Sequence, residues 1–165
     1  MQNLATRRNF LKAGFLSSAV FVMNGCELFS VTTSKETIDV VQNDLFPKAK
    51  ELGINTSDYL TKIVLHHSCI SKEDKQFLKD GVKWLNERAI KMHKEAYTKL
   101  SASKRQEVLN AIAQTEWGES WIYNMMTYIF EAMLGDPIYS GNSGEAGWKW
   151  LAFEGGKPRP KRMYL

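Results

Sequence analysis

The sequence predicts an all-α fold, a compact bundle of about five helices ending in a long C-terminal loop rich in glycine and aromatic residues. Apolar residues recur in alternating steps of four and three, as in Leu78, Val82, Leu85, Ala89, Met92 and Ala96. That spacing paints one stripe on a helix. Residues that start helices stand just before such runs, at Asn55-Thr56-Ser57, Ser71 and Ser101 or Ser103, where a side-chain oxygen can accept from a free backbone N–H. No stretch alternates apolar and polar residues over the length of a strand, so a large sheet is not expected.

Before the first helix lies a targeting segment. Thr6-Arg7-Arg8-Asn9-Phe10-Leu11-Lys12 precedes an apolar run over residues 13–23. Paired arginines followed at once by Phe10, Leu11 and Lys12 have the form of a twin-arginine export signal, an address read by a receptor. As that form implies, the route carries cargo already folded, so the cargo is expected to include a partner. An ordinary secretory leader would also carry positive charge here, and the whole string separates the two readings better than the arginines alone. The apolar run falls short of the ~18–20 residues that span a bilayer, and no longer uncharged run follows it. Met23-Asn24-Gly25-Cys26 sits where a lipoprotein box would sit, making Cys26 a candidate lipid-attachment site. Met23 and Asn24 replace the usual Leu and small residue, and the alternative is an unmodified thiol in a leader cleaved elsewhere.

The chain is expected to divide into an export signal at 1–25, a linker at 26–34 and one helical domain at 35–165, with a docking loop at 135–165. The signal holds three basic residues and no acid, so 19 basic and 18 acidic residues remain of the original 22 and 18. The pI near 9.0 therefore belongs to the leader, and a nucleic-acid role argued from charge fails. Lys157-Pro158-Arg159-Pro160-Lys161-Arg162 reads as a solvated or partner-touching tail. The mature part, about 140 residues, can bury roughly two-thirds of its unfolded surface. If Cys26 is modified or lost, Cys69 is the one remaining thiol. One thiol excludes an internal disulfide, a Cys₄ iron–sulfur site and a C-x-x-C-H haem attachment.

In chain order, Ile38, Val41 and Leu45 share one face of a first helix, which Pro47 ends or kinks. A second helix runs through Tyr59, Leu60, Ile63 and Val64. Ser71-Lys72-Glu73-Asp74 starts the longest, expected to reach about residue 98. A shorter helix buries Val108, Leu109, Ile112 and Ala113. After a junction at Glu116-Trp117-Gly118, the last helix, 119–134, repeats apolar pairs every four residues: Trp121/Ile122, Met125/Met126, Ile129/Phe130 and Met133/Leu134. With Tyr123 and Tyr128 beside them, the face is broad enough to predict either a central helix or one half-covered by another protein.

Candidate chemistry inside the chain is thin. His66, His67 and Cys69, with His93, offer ligand types for zinc, copper or haem iron. Adjacent helical residues diverge by about 100°, so His66 and His67 would not face one ion, and polar residues at a helix end is the plainer reading. Glu116 and Glu119 could pair as catalytic carboxylates, but at i,i+3 they equally complement a helix dipole. Met125, Met126 and Met133 read as adaptable packing. The glycines after Gly135 match neither G-x-G-x-x-G nor a P-loop, which disfavours phosphate binding.

The loop itself carries a specific pattern: Asp136-Pro137-x-Tyr139-x-Gly141-Asn142, then Gly147-Trp148, then Phe153-x-Gly155. It resembles the C-terminal signature of the gluconate 2-dehydrogenase small subunit (subunit 3) family, and with the leader and helical middle the resemblance covers essentially the whole chain. The resemblance implies a non-catalytic subunit of a periplasmic flavin-dependent sugar or sugar-acid dehydrogenase. It implies no cofactor in this chain and FAD in a large subunit of the glucose–methanol–choline type. It further implies haem c in a third, cytochrome subunit in many complexes. The small subunit would bring its leaderless flavoprotein through the export machinery and stay bound to it, membrane-anchored if Cys26 is lipidated. The partner-binding residues expected on the last helix and loop are Trp121, Tyr139, Asn142, Trp148, Trp150 and Phe153. The alternative is a stand-alone exported helical enzyme, or a metal- or haem-binding lipoprotein, using His66, His67, Cys69 or His93.

Overall fold

The computed structural model of the protein describes residues 31–165. The export-signal residues Arg7, Arg8, Phe10, Leu11 and Lys12, and Cys26, lie outside them. Seven α-helices and no strand occur among the described residues: α1 Val31–Leu45, α2 Pro47–Glu51, α3 Thr56–Lys62, α4 Lys72–His93, α5 Ala102–Ala113, α6 Glu116–Leu134 and α7 Ala146–Trp150. The all-α class stands, with two short helices, α2 and α7, beyond the five expected.

Two of the start signals work as the sequence indicates, while Ser101 stands at the N-cap of α5 without a side-chain cap bond. Asn55 accepts from the Asp58 N–H at 3.0 Å, and Ser71 from that of Asp74 at 3.0 Å. Thr115 caps α6 through the Gly118 N–H at 3.2 Å, which moves the start of this helix to Glu116 and absorbs the expected junction. Helix α1 begins at Val31 rather than at residue 35, shortening the expected 26–34 linker. No Gly or Pro stands between Val31 and Leu45, and extending an existing helix costs far less than starting one.

Helix α6 is the hub, packing against α3, α4, α5 and α7. Its buried line is Trp121, Met125, Ile129 and Met133. The main core joins Trp121 and Met125 to Ile38 and Val41 of α1, to Leu78, Val82, Leu85 and Ala89 of α4, and to Val108, Leu109 and Ile112 of α5. A smaller cluster holds Ala49, Ile54, Ile129, Ala132 and Met133. Trp121 is fully buried and its indole N–H donates to the Leu78 carbonyl at 3.1 Å. Gly81 lies directly under the ring, and a Cβ there would collide with it. Edge-to-face contacts from Phe77 to Trp84 (6.1 Å) and from Trp84 to Trp117 (5.2 Å) tie α4 to the start of α6, an arrangement that ring quadrupoles favour.

Helix α4 stops at His93, short of the expected residue 98, with Lys94 left-handed at φ 64°. Met92 is consequently exposed and Ala96 lies beyond the helix. The stop is tertiary in origin. Tyr97 is pulled into the core, its N–H donating to Asn86 Oδ1 at 3.0 Å and its hydroxyl to Asp44 at 2.8 Å. Arg105 holds the same carboxylate through two bonds, at 2.7 and 3.0 Å, and donates to the Leu100 carbonyl at 2.8 Å. This largely buried Asp44–Arg105–Tyr97 group fastens α1 to α5 and to the segment between α4 and α5.

Burial, reinforced by Asp44, pushes the Tyr97 hydroxyl well above its ordinary range. Burial likewise pushes Tyr59, which donates to Glu131 at 3.4 Å, up to about 12. The native state thus keeps protons that the unfolded chain releases near pH 10. Stability is therefore fully present below that pH and is lost as pH rises through the folded values. Thermal melts should weaken above about pH 10. Tyr97→Phe should flatten that dependence while costing about 1–3 kcal/mol at neutral pH through the lost hydrogen bond to a charged acceptor. An unchanged alkaline slope in the variant would contradict this assignment.

Candidate partner-binding surface

The segment after α6 is ordered by the last turn of α6. Glycine-rich composition suggested a loop without secondary structure; it instead forms two single 3₁₀ turns, Pro137–Tyr139 and Ser143–Glu145, followed by α7. Exposed helix-end carbonyls supply the missing order. Asn142 is buried, its Nδ2 donating to the Gly135 carbonyl at 3.1 Å and its Oδ1 accepting from the Gly147 N–H at 2.8 Å. The Trp148 indole donates to the Leu134 carbonyl at 2.7 Å. Gly141 and Gly147 touch the α6 backbone so closely that a Cβ at either would collide with the carbonyls of Ala132 and Met133. Gly141, Asn142, Gly147 and Trp148 of the signature therefore share one job, laying the loop flat on its own bundle.

A second tier fixes the tail. Arg159 stacks over the Trp148 ring at 4.3 Å, donates to Asp136 at 2.9 Å and reaches Glu145 at 3.2 Å. The Arg159 guanidinium, together with the Ile138 N–H, holds the Asp136 carboxyl below the usual carboxylate range. Phe153 meets Trp148 edge to face at 5.7 Å.

With those anchors buried, a different set of side chains faces outward. Trp150 is 41% exposed and Phe153 56%, with Leu151 between them also exposed. Phe130 and Leu134 of α6 are also exposed. Phe46, at the break between α1 and α2, links the two elements, its ring 5.1 Å from Phe130 and 6.4 Å from Trp150. Beside this face, desolvation raises the Glu131 carboxyl above its ordinary value.

The expected partner-binding residues thus separate. Trp121 is corrected: at 0% exposure, under Gly81, it belongs to the core and no partner reaches it. Asn142 and Trp148 (7% exposed) are buried by their own chain. Tyr139 is half-buried, its hydroxyl accepting from the Tyr164 N–H at 3.4 Å. Trp150 and Phe153 face solvent. Phe46 was missed; its one sequence signal is a large aromatic at a helix break, where solvated residues are usual.

The histidines do not converge. His66 ends a 3₁₀ turn and is exposed, and His67 leaves it in extended backbone with Nδ1 accepting from the Cys69 N–H at 3.1 Å. His93, 3.4 Å from Glu107, stands at the opposite end of α4. At 1.5 Å per residue that helix separates it from His67 by roughly 30 Å. Cys69 is exposed. Among the described residues no three His, Cys, Asp or Glu side chains are grouped to hold a metal, and no helix is long and apolar enough to cross a membrane.

Fold and surface together define an all-α chain whose C-terminal signature pins an aromatic face onto a helical bundle. The family model of gluconate 2-dehydrogenase subunit 3 matches residues 33–156 of this chain, and the chain belongs to that family. No curated protein and no solved structure matches it.

Proposed function

We propose that this chain is the non-catalytic small subunit of a periplasmic, flavin-dependent sugar or sugar-acid dehydrogenase of the gluconate type. It escorts the flavoprotein through twin-arginine export and stabilises it afterwards. The observation that carries the reading is the subunit-family match over residues 33–156. The Arg7-Arg8 leader and the aromatic face formed by the exposed Phe130 and Trp150 around the half-buried Phe46 support it. FAD resides in the large subunit, and haem c, where a cytochrome is present, in a third. Co-purification tests the proposal: tagged full-length chain, expressed with the flavoprotein, should retain it stoichiometrically and carry flavin absorbance through it. A chain that leaves the flavoprotein behind, or that binds haem or metal when purified alone, would contradict it.

Anchoring is part of the same reading. Two acyl chains on Cys26 would hold the complex at a membrane face, since each buried methylene contributes about 0.8 kcal/mol and one chain binds only marginally. Cys26→Ser should move the protein from the membrane to the soluble fraction. Unchanged membrane association, without labelled fatty acid on the wild type, would refute the anchor.

A further inference from the structure

The chain beyond Phe153 is held by side chains alone. Among the described residues no backbone–backbone hydrogen bond involves residues 154–165, and all of these except Gly155 and Arg159 are exposed. Arg159 is the main fastening. Its Nε donates to Asp136 Oδ2 at 2.9 Å and its Nη1 to Glu145 Oε1 at 3.2 Å, while the guanidinium lies 4.3 Å from the centre of the Trp148 ring. The Tyr164 N–H adds one bond, to the Tyr139 hydroxyl at 3.4 Å. Part-exposed ion pairs and single cation–π contacts contribute little against water. The tail therefore lifts off more readily than the loop beneath it, whose Asn142 and Trp148 side chains bond to carbonyls at the end of α6.

The tail covers the outer side of the loop signature. Asp136, Tyr139 and Trp148 lie within the stretch that the family model matches, which ends at residue 156, and Arg159 and Tyr164 lie past it. Asp136 uses Oδ1 to accept from the Ile138 N–H of its own turn, leaving Oδ2 for the tail. Two carboxylates beside one indole ring suit a planar cation that stacks while its N–H fork reaches both acids, a guanidinium better than an ammonium. We infer that residues 157–165 are a displaceable strap that keeps this slot filled in the free chain, and that an arginine on a segment of the dehydrogenase partner takes the slot over on assembly. Trp148 keeps its bond to the Leu134 carbonyl throughout, and only the ring face under Arg159 changes occupant. The inference rests on the subunit reading above and adds how the chain's own tail regulates access of the partner, and through which chemistry the partner binds.

Two full-length variants test it against the purified flavoprotein subunit. Arg159→Ala frees the strap and leaves the slot intact. Backbone order parameters over residues 157–165, high in the wild type, should fall below about 0.6. Affinity for the flavoprotein should rise about threefold or more, because a larger fraction of the chain has the slot open. Asp136→Asn with Glu145→Gln neutralises the slot and keeps its shape. The tail should loosen as before, but affinity should now fall about tenfold or more. A tail that merely stabilises the loop would not move the two affinities in opposite directions. Unchanged or weaker binding by Arg159→Ala, unchanged binding by the neutralised slot, or a tail already flexible in the wild type overturns the inference while leaving the subunit reading standing. Loss of helical signal in Arg159→Ala overturns it too, by showing that the tail is part of the folded bundle. A wild-type chain that does not bind the flavoprotein removes the subunit reading and the inference together.

Discussion

Trp148→Ala is expected to destabilise the isolated chain by about 3–5 kcal/mol, the range for truncating a buried aromatic. Three contacts go at once: the indole hydrogen bond to the Leu134 carbonyl, the Arg159 stack and the Phe153 edge contact. Gly155 also packs against the ring, close enough that a Cβ there would collide with it. The loop should then detach from α6 while the bundle keeps its helices. Circular dichroism should show near-native helical signal at low temperature and a melt lowered by on the order of 10 °C. Limited proteolysis should find new cuts in 135–165. A melt superimposable on wild type would contradict this assignment. It would restore the view from sequence, in which Trp148 contacts the partner directly.

That reversal shows where the sequence is legible. Caps and seams are local: Asn55 and Ser71 bond to an N–H three residues on, and Leu78, Val82, Leu85 and Ala89 share a face because helix geometry alone puts them there. Both could be read without knowing what packs against them. The end of α4 could not, because Lys94 adopts a left-handed conformation that glycine or asparagine usually signals. What stops the helix is Tyr97 reaching Asp44, 53 positions earlier in the chain. Likewise the breadth of the α6 face was visible, but its division was not. Trp121 is hidden because Gly81, 40 positions earlier, leaves room for its ring. Among the loop residues, composition marks aromatics that anchor and aromatics that present in the same way. Only the α6 carbonyls separate Trp148, which bonds to Leu134, from Trp150, which has turned outward.

The escort role depends on the leader, and its arginines can be tested without removing charge. Lysine keeps the positive n-region that any secretory signal needs but lacks the planar guanidinium fork. Arg7→Lys with Arg8→Lys therefore separates receptor reading of the arginine pair from simple electrostatics. The decisive measurement is flavin-linked dehydrogenase activity in the periplasmic fraction of cells carrying the double variant as their only copy. The expected result is a fall to background, with both this chain and the flavoprotein retained in the cytoplasm. Normal periplasmic activity in those cells would contradict the escort role.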